Sequence, residues 1–219
     1  MNISKSIEYS ESMRINHPIN IKSANMRQKR YGCAINDADY VTQPYVNGIK
    51  EVCPAYQTWV NMLKRCLDAN RKVIQPTYKD VIVCEEWLLF SNFRVWWINN
   101  YTEGYHLDKD LLVKGNQLYS PETCVYVPRW LNAFTTNRAA CRGKYKVGVD
   151  YNKKSGKFQS RCWNPKIGKR EQLGLFMTEN DAYSSWLSRK LEIALELKQE
   201  MDEIDLRIYP NVVEIIKCS

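Results

Sequence analysis

The chain has 219 residues, with 32 Lys and Arg against 24 Asp and Glu, for a formal net charge of +8. At 44% hydrophobic and 26% charged it has the make-up of an ordinary globular protein rather than a low-complexity or collagen-like one. Its longest apolar runs, such as Trp87–Phe90, fall far short of the ~20 residues that a membrane span needs, and Met1–Ser10 shows no basic start followed by an apolar core, so a cytoplasmic protein without a membrane partner is expected.

The first 48 residues are polar, poor in Leu and Phe and without sustained periodicity, which predicts a partly extended or disordered arm with a small basic cluster at Arg27, Lys29 and Arg30. At Pro54 the pattern changes. Tyr56, Trp59, Met62, Leu63 and Cys66 recur at three- and four-residue steps, predicting an amphipathic helix over 54–68 opened by a proline at its first position. Val81–Cys84 is a short β-like run. Glu85 and Glu86 then favour the start of a second helix, which carries Trp87, Phe90, Phe93 and Trp97 on one face as core. From His106 a strand through Leu107, a turn at Gly115-Asn116 and a strand at Tyr119 lead to a predicted helix, capped by Ser120 and opened by Pro121, that runs through Val127, Trp130, Leu131 and Phe134. This is a ββα pattern.

The second half alternates instead. Tyr145–Tyr151 and Lys157–Trp163 flank a Ser155-Gly156 turn, Asn164-Pro165 and Gly168 mark another turn, and Lys169–Phe176 makes a third strand. Thr178 with Asp181 resembles a capping box ahead of a long helix carrying Ala182, Trp186, Leu191, Ala194 and Leu197, and Ile208–Ile216 is predicted as a terminal strand. The expected class is α+β: a helical and ββα part, then a three-stranded antiparallel sheet packed on one long helix.

Eight cysteines are spread so that the closest pair is 13 residues apart, and the only histidines are His17 and His106. Zinc ligands usually come in close pairs and disulfide frameworks belong to short secreted chains, so zinc is not expected and the cysteines read as free, mostly core thiols.

The charge is concentrated. Residues 138–170 hold eleven Lys and Arg against one acid, Asp150, a local +10 that leaves −2 for the other 186 residues. A compact basic block on one predicted sheet is the footprint expected of a phosphate-binding surface.

Within it, Gly148-Val149, Gly156-Lys157-Phe158, Asn164-Pro165, Gly168-Lys169-Arg170, Leu173-Gly174-Leu175-Phe176, Thr178-Glu179 and Ala182-Tyr183 resemble, in order and spacing, the DNA-binding domain of plant ethylene-response factors, a module also carried by phage and mobile-element HNH endonucleases. The resemblance implies a sheet lying in the major groove. With the local basic residues it nominates Arg142, Lys144, Tyr151, Lys153, Lys154, Lys157, Phe158, Arg161, Trp163, Lys169, Arg170 and Gln172 as the DNA contacts. Asp150 stands where the family often has Arg, and Gln172 where Trp is usual. An acid there costs affinity unless it pairs with a cation or accepts from cytosine.

Residues 105–137 resemble the HNH nuclease core with altered letters. Lys109 occupies the position of the water-activating His and Thr123 that of a metal-binding Asn, while Asp108 and Asp110 remain to hold Mg²⁺ and His106 lies three residues ahead of the expected position. A lysine beside a cation stays charged at neutral pH and is a poor base. The implied organisation is an arm over 1–48, an HNH-like domain over 49–137, an ethylene-response-factor-type domain over 138–204 and a tail over 205–219. The leading expectation is a sequence- or structure-selective double-stranded DNA-binding protein of phage or mobile-element type, acting in the bacterial cytoplasm, derived from an HNH endonuclease with altered catalytic residues and needing no cofactor to bind. Two alternatives stay open: an active Mg²⁺-dependent homing endonuclease using Asp108, Asp110 and His106, and a phage effector that binds a host protein through the aromatic first half.

Overall fold

The computed structural model describes residues 4–136 and 144–219, so Arg138, Cys141 and Arg142 lie outside the described residues. The chain divides into two compact units, Met1–Asp110 with Gly115–Tyr126, and Leu111–Lys114 with Val127–Ser219. The units part between Tyr126 and Val127, ahead of the boundary expected at 137. Among the described residues no helix is long and apolar enough to cross a membrane.

In the first unit the polar N-terminal segment carries two helices, where a partly extended or disordered arm is expected. Helix α1 (Lys5–Asn16) starts at Ser4, whose hydroxyl accepts from Ser6 N, and Glu103 accepts hydrogen bonds from the hydroxyls of Ser4 at 2.6 Å and Ser6 at 3.0 Å. Only Ser10 and Met13 of α1 are buried, which is why no apolar periodicity marks it. A short α2 (Ile21–Asn25) follows. The basic cluster beyond it is tied inward: Arg27 donates to the carbonyls of Asn36 at 2.9 Å and Ala38 at 2.6 Å, and Arg30 Nε to the Tyr56 hydroxyl at 2.9 Å.

A two-residue hairpin pairs β1 (Tyr45–Val46) with β2 (Ile49–Lys50). Helix α3 (Pro54–Leu67) buries Tyr56, Trp59, Met62, Leu63 and Cys66, the stripe expected, and α4 (Ala69–Ile74) is capped by the Asp68 carboxylate. Parallel to β5 (Leu118–Tyr119) runs β3 (Ile82–Val83). A 3₁₀ turn at Glu85–Leu88 leads into α5 (Phe90–Asn100). Trp59, Trp87, Phe90, Phe93 and Trp97 are at most 1% exposed and form one core, with Trp59 Nε1 donating to the Trp87 carbonyl at 2.7 Å and Tyr56 edge-on to Phe90 at 5.3 Å. The aromatic stripe is core, as expected, and buried indoles of this kind dominate the burial energy of a small unit.

Strand β4 (Tyr105–Asp108) precedes the Gly115-Asn116 turn. The helix expected to start at Pro121 does not form there. Ser120–Cys124 closes a single turn, with Cys124 N donating to Ser120 O at 3.0 Å, after which Val125–Pro128 is strand β6 and α6 is only Arg129–Thr135. The β-branched and aromatic run Val125-Tyr126-Val127 prefers the extended backbone, and Pro128, itself extended, stands at the position just before the helix that follows.

The second unit is the expected three-stranded antiparallel sheet on a long helix. Strands β7 (Val149–Asn152), β8 (Lys157–Asn164) and β9 (Lys169–Phe176) pair in chain order, and α7 (Glu179–Glu196) is capped by Thr178, whose Oγ1 accepts from Asp181 N at 3.1 Å. Between Ser160 and Arg161 the β8–β9 register slips by one residue, leaving Leu173 as a bulge beside Gly174, whose φ of +138° a side chain would oppose. The helix breaks at Leu197 into α8 (Lys198–Asp202). The predicted terminal strand is instead α9 (Ile208–Lys217). Its β-branched residues suit a strand, but Ile208, Val212 and Ile216 fall at four-residue spacing and all three are buried, which is a helical face. In the same unit Asn211 Nδ2 donates to the Leu111 and Leu112 carbonyls at 3.0 and 2.8 Å.

Candidate nucleic-acid interface

The two faces of the β7–β9 sheet have different surroundings, and register assigns each residue to one of them. Val149 lies opposite Ser160, Tyr151 opposite Phe158, Cys162 opposite Glu171 and Asn164 opposite Lys169. Because side chains alternate along a strand, these positions share one face. Val149, Ser160, Cys162 and Asn164 are at most 6% exposed there, packed under Ala182, Trp186, Lys190 and Ile193 of α7. Glu171 belongs to the same side, where Arg189 of α7 grips it with Nε at 2.6 Å and Nη2 at 3.1 Å. That grip, with the Asn164 amide behind it, holds the Glu171 carboxyl below the usual range.

The opposite, outer face carries Asp150, Lys157, Gln159, Arg161 and Trp163, with Arg170, Gln172 and Leu175 across on β9. Trp163 sits opposite Arg170 and is 40% exposed, whereas the core tryptophans are sealed. Arg161 Nη2 pairs with Asp150 Oδ2, and Gln159 Nε2 donates to Gln172 Oε1 at 2.6 Å. With Glu171 turned to the helix, Asp150 is the one acidic residue of these strands on the outer face.

The turns at the sheet's edges add cations. Asn152 Oδ1 accepts from Lys154 N at 3.0 Å and Ser155 N at 3.2 Å, closing the β7–β8 turn with Lys153 and Lys154 exposed. Asn164 Oδ1 accepts from Lys166 N at 2.9 Å in the next turn. Among the described residues Lys153, Lys154, Lys157, Lys169 and Arg170 make no ion pair. Two members of the basic block serve the helix side instead: Lys146 Nζ donates to Asn180 Oδ1 at 2.7 Å, and Lys166 lies 3.9 Å from Glu196.

Of the residues nominated by sequence, Lys157, Arg161, Trp163, Arg170 and Gln172 therefore share one face, with Lys153 and Lys154 at its edge. Lys169 is exposed at the strand end, Lys144 is exposed ahead of β7, and Arg142 is outside the described residues. Tyr151 and Phe158 fall on the other face, where with Tyr145 they make a ring cluster with centroids 5.3–6.2 Å apart. The sheet does not bring these two together with Arg161 and Trp163. Gln159 joins the outer face as well; its place two residues before Arg161 and four before Trp163 is the sequence signal for it.

The residues of the HNH-like stretch are arranged differently. Lys109 is 6% exposed; its Nζ donates to Asp110 Oδ1 at 2.5 Å and to Asn116 O at 3.0 Å, while Asn116 Nδ2 returns a bond to Lys109 O at 2.7 Å. Asp108 Oδ1 accepts from Asp110 N at 2.7 Å, and Thr123 Oγ1 donates to Leu118 O at 2.6 Å. These bonds fasten the segment after β4 to the turn before β5. His106 is exposed and, by strand alternation, shares a face with Asp108. Among the described residues no group of three or more His, Cys, Asp or Glu converges as metal ligands. Compared with known proteins, the chain matches no family model, no curated protein and no solved structure.

Proposed function

We propose that the protein binds double-stranded DNA through the outer face of the β7–β9 sheet, and that its first unit is an HNH-derived fold in which Lys109 ties the chain together instead of activating water. The observation that carries the DNA reading is the sorting of charge across the sheet. Arg161, Arg170 and Lys157 share the outer face with an exposed Trp163, the turns add Lys153 and Lys154, and the acid Glu171 is bound to the helix. A three-stranded surface fits the major groove, where Arg and Gln read base edges while lysines at the margins neutralise phosphates.

If Lys153, Lys154, Lys157 and Lys169 each neutralise one phosphate, log affinity falls against log salt with a slope of about −3.6, which is a loss of about 150-fold between about 50 and about 200 mM. Fluorescence anisotropy with a random-sequence duplex across that range measures the slope. No binding at the lowest salt, or a slope near zero, overturns the reading. Incubation with supercoiled plasmid and Mg²⁺ tests the first unit: metal-dependent nicking abolished by Asp108→Ala would reverse the assignment of Lys109 as a structural tie.

A further inference from the structure

The outer face contains one feature that a simple phosphate-binding surface does not explain, the Asp150–Arg161 pair at its centre. A carboxylate among cations that must meet phosphates lowers affinity, and in this sheet it also consumes a guanidinium that would otherwise face the ligand. Its chemistry is nonetheless ordered. Asp150 pairs through Oδ2, and Oδ1 makes no hydrogen bond among the described residues. Arg161 Nε is buried without a hydrogen-bond partner among the described residues, so its Nη1 hydrogens and the second hydrogen of Nη2 are the ones left for an acceptor. The Asp150 side chain is 57% exposed and the Arg161 side chain 32%, so a ligand can reach the pair. Beside it the Gln159–Gln172 amide pair extends the row of donors and acceptors.

We infer that Asp150 and Arg161 act as a single reader of a G·C base pair in the major groove, an inference that rests on the DNA-binding reading above. Guanine presents two acceptors, O6 and N7, which the free end of the Arg161 guanidinium satisfies. Its cytosine partner presents an N4 amino donor, which the unpaired Asp150 oxygen accepts. The ion pair holds the guanidinium fork in one orientation before contact, so the arginine loses less freedom on binding than an unpaired one. Asp150 also acts against the wrong base. Where the cytosine N4 amino group is replaced by the O4 acceptor of thymine, the carboxylate meets another acceptor and is left desolvated and unsatisfied. The lost phosphate affinity is the cost of that selectivity.

Selection from a randomised duplex pool, followed by anisotropy titration of single-site variants of the winning sequence, tests this in the full-length chain. The wild type is expected to prefer G·C at one position by about 10- to 100-fold, the discrimination of one well-placed bidentate contact. Asp150→Asn should lose most of that preference while binding random duplex more tightly, with a salt slope steeper by up to about 1 as the guanidinium turns to phosphate. Arg161→Lys, which keeps the charge and loses the fork, should lose the same preference with random-duplex affinity held within about threefold. Circular dichroism of both variants checks that the sheet is intact. Salt-dependent binding without a G·C preference, or with one that both variants retain, overturns the inference and leaves the DNA reading standing. Absence of binding at low salt overturns both.

Discussion

Lys190 provides a quantitative test of how the second unit is held together. It lies on α7 against the buried face of the sheet, is 8% exposed, and places Nζ 3.4 Å from the centroid of Phe134. Burial pushes its ammonium from 10.5 down to about 8, the neighbouring Cys162 thiol acting weakly in the other direction. At about 1.36 kcal/mol per pH unit, the folded state spends about 3 kcal/mol at pH 7 on keeping that charge out of water. The folded pKa lies below the unfolded one, so between pH 8 and 10.5 the unfolded chain holds more protons. Stability from this group therefore rises with pH across that window, and the whole cost applies below it. Lys190→Met keeps most of the stem and removes the charge, at the loss of a cation–π contact of about 0.5–1 kcal/mol. The variant is expected to be about 2–3 kcal/mol more stable at pH 7, with the advantage shrinking by about 1 kcal/mol at pH 9. The Cys162 thiol, raised to about 11 mainly by burial, opposes the trend at higher pH; losing the Lys190 charge removes one influence that lowers it, so the thiol stays protonated in the folded state at both pH 7 and pH 9 in either protein. Urea unfolding followed by far-UV circular dichroism at the two pH values measures it. A variant less stable than wild type at pH 7, or a difference that does not change with pH, would show that the ammonium is solvated or paired and refute the reasoning.

Three further outcomes follow from the same geometry. Lys153→Ala with Lys154→Ala should weaken duplex binding equally for all sequences and flatten the salt slope by about 2, as read by anisotropy, because both lysines sit in a turn rather than on the reading face. Gly148→Ala should destabilise the second unit by more than about 2 kcal/mol in thermal unfolding, since φ there is +76° and a Cβ would stand 2.0 Å from the Trp186 ring. Lys109→Met should cost about 1–3 kcal/mol in urea unfolding by leaving the Asn116 carbonyl without its donor, and should leave duplex affinity unchanged.

Local chemistry made much of this fold legible. The alternation of β8, the cap at Thr178, the proline at the head of α3 and the aromatic stripe of the first unit all follow from near-neighbour rules, which need no knowledge of what packs on what. The errors share a cause. The Val and Ile of Ile208–Ile216 favour extended backbone locally and predict a strand, yet burial of Ile208, Val212 and Ile216 together on one helical face outweighs that preference. Helix α1 was unreadable because it contributes only Ser10 and Met13 to the buried interior. The turn at Ser120–Cys124 has the residues of a helix cap but is followed by a run that extends.

The candidate interface divides in the same way. Sequence alone determined that residues 138–170 carry a +10 block and that β8 has two faces of opposite parity, because composition and the two-residue period are properties of the chain itself. Which face stays open was decided only by tertiary structure. Trp186 and Lys190 of α7 cover Val149, Ser160 and Cys162, which places Tyr151 and Phe158 on the helix side and leaves Arg161, Trp163 and Arg170 on the other. The pairing of Asp150 with Arg161, and the withdrawal of Glu171 to Arg189, are likewise contacts between residues distant in sequence, set by strand register and helix placement rather than by any local pattern.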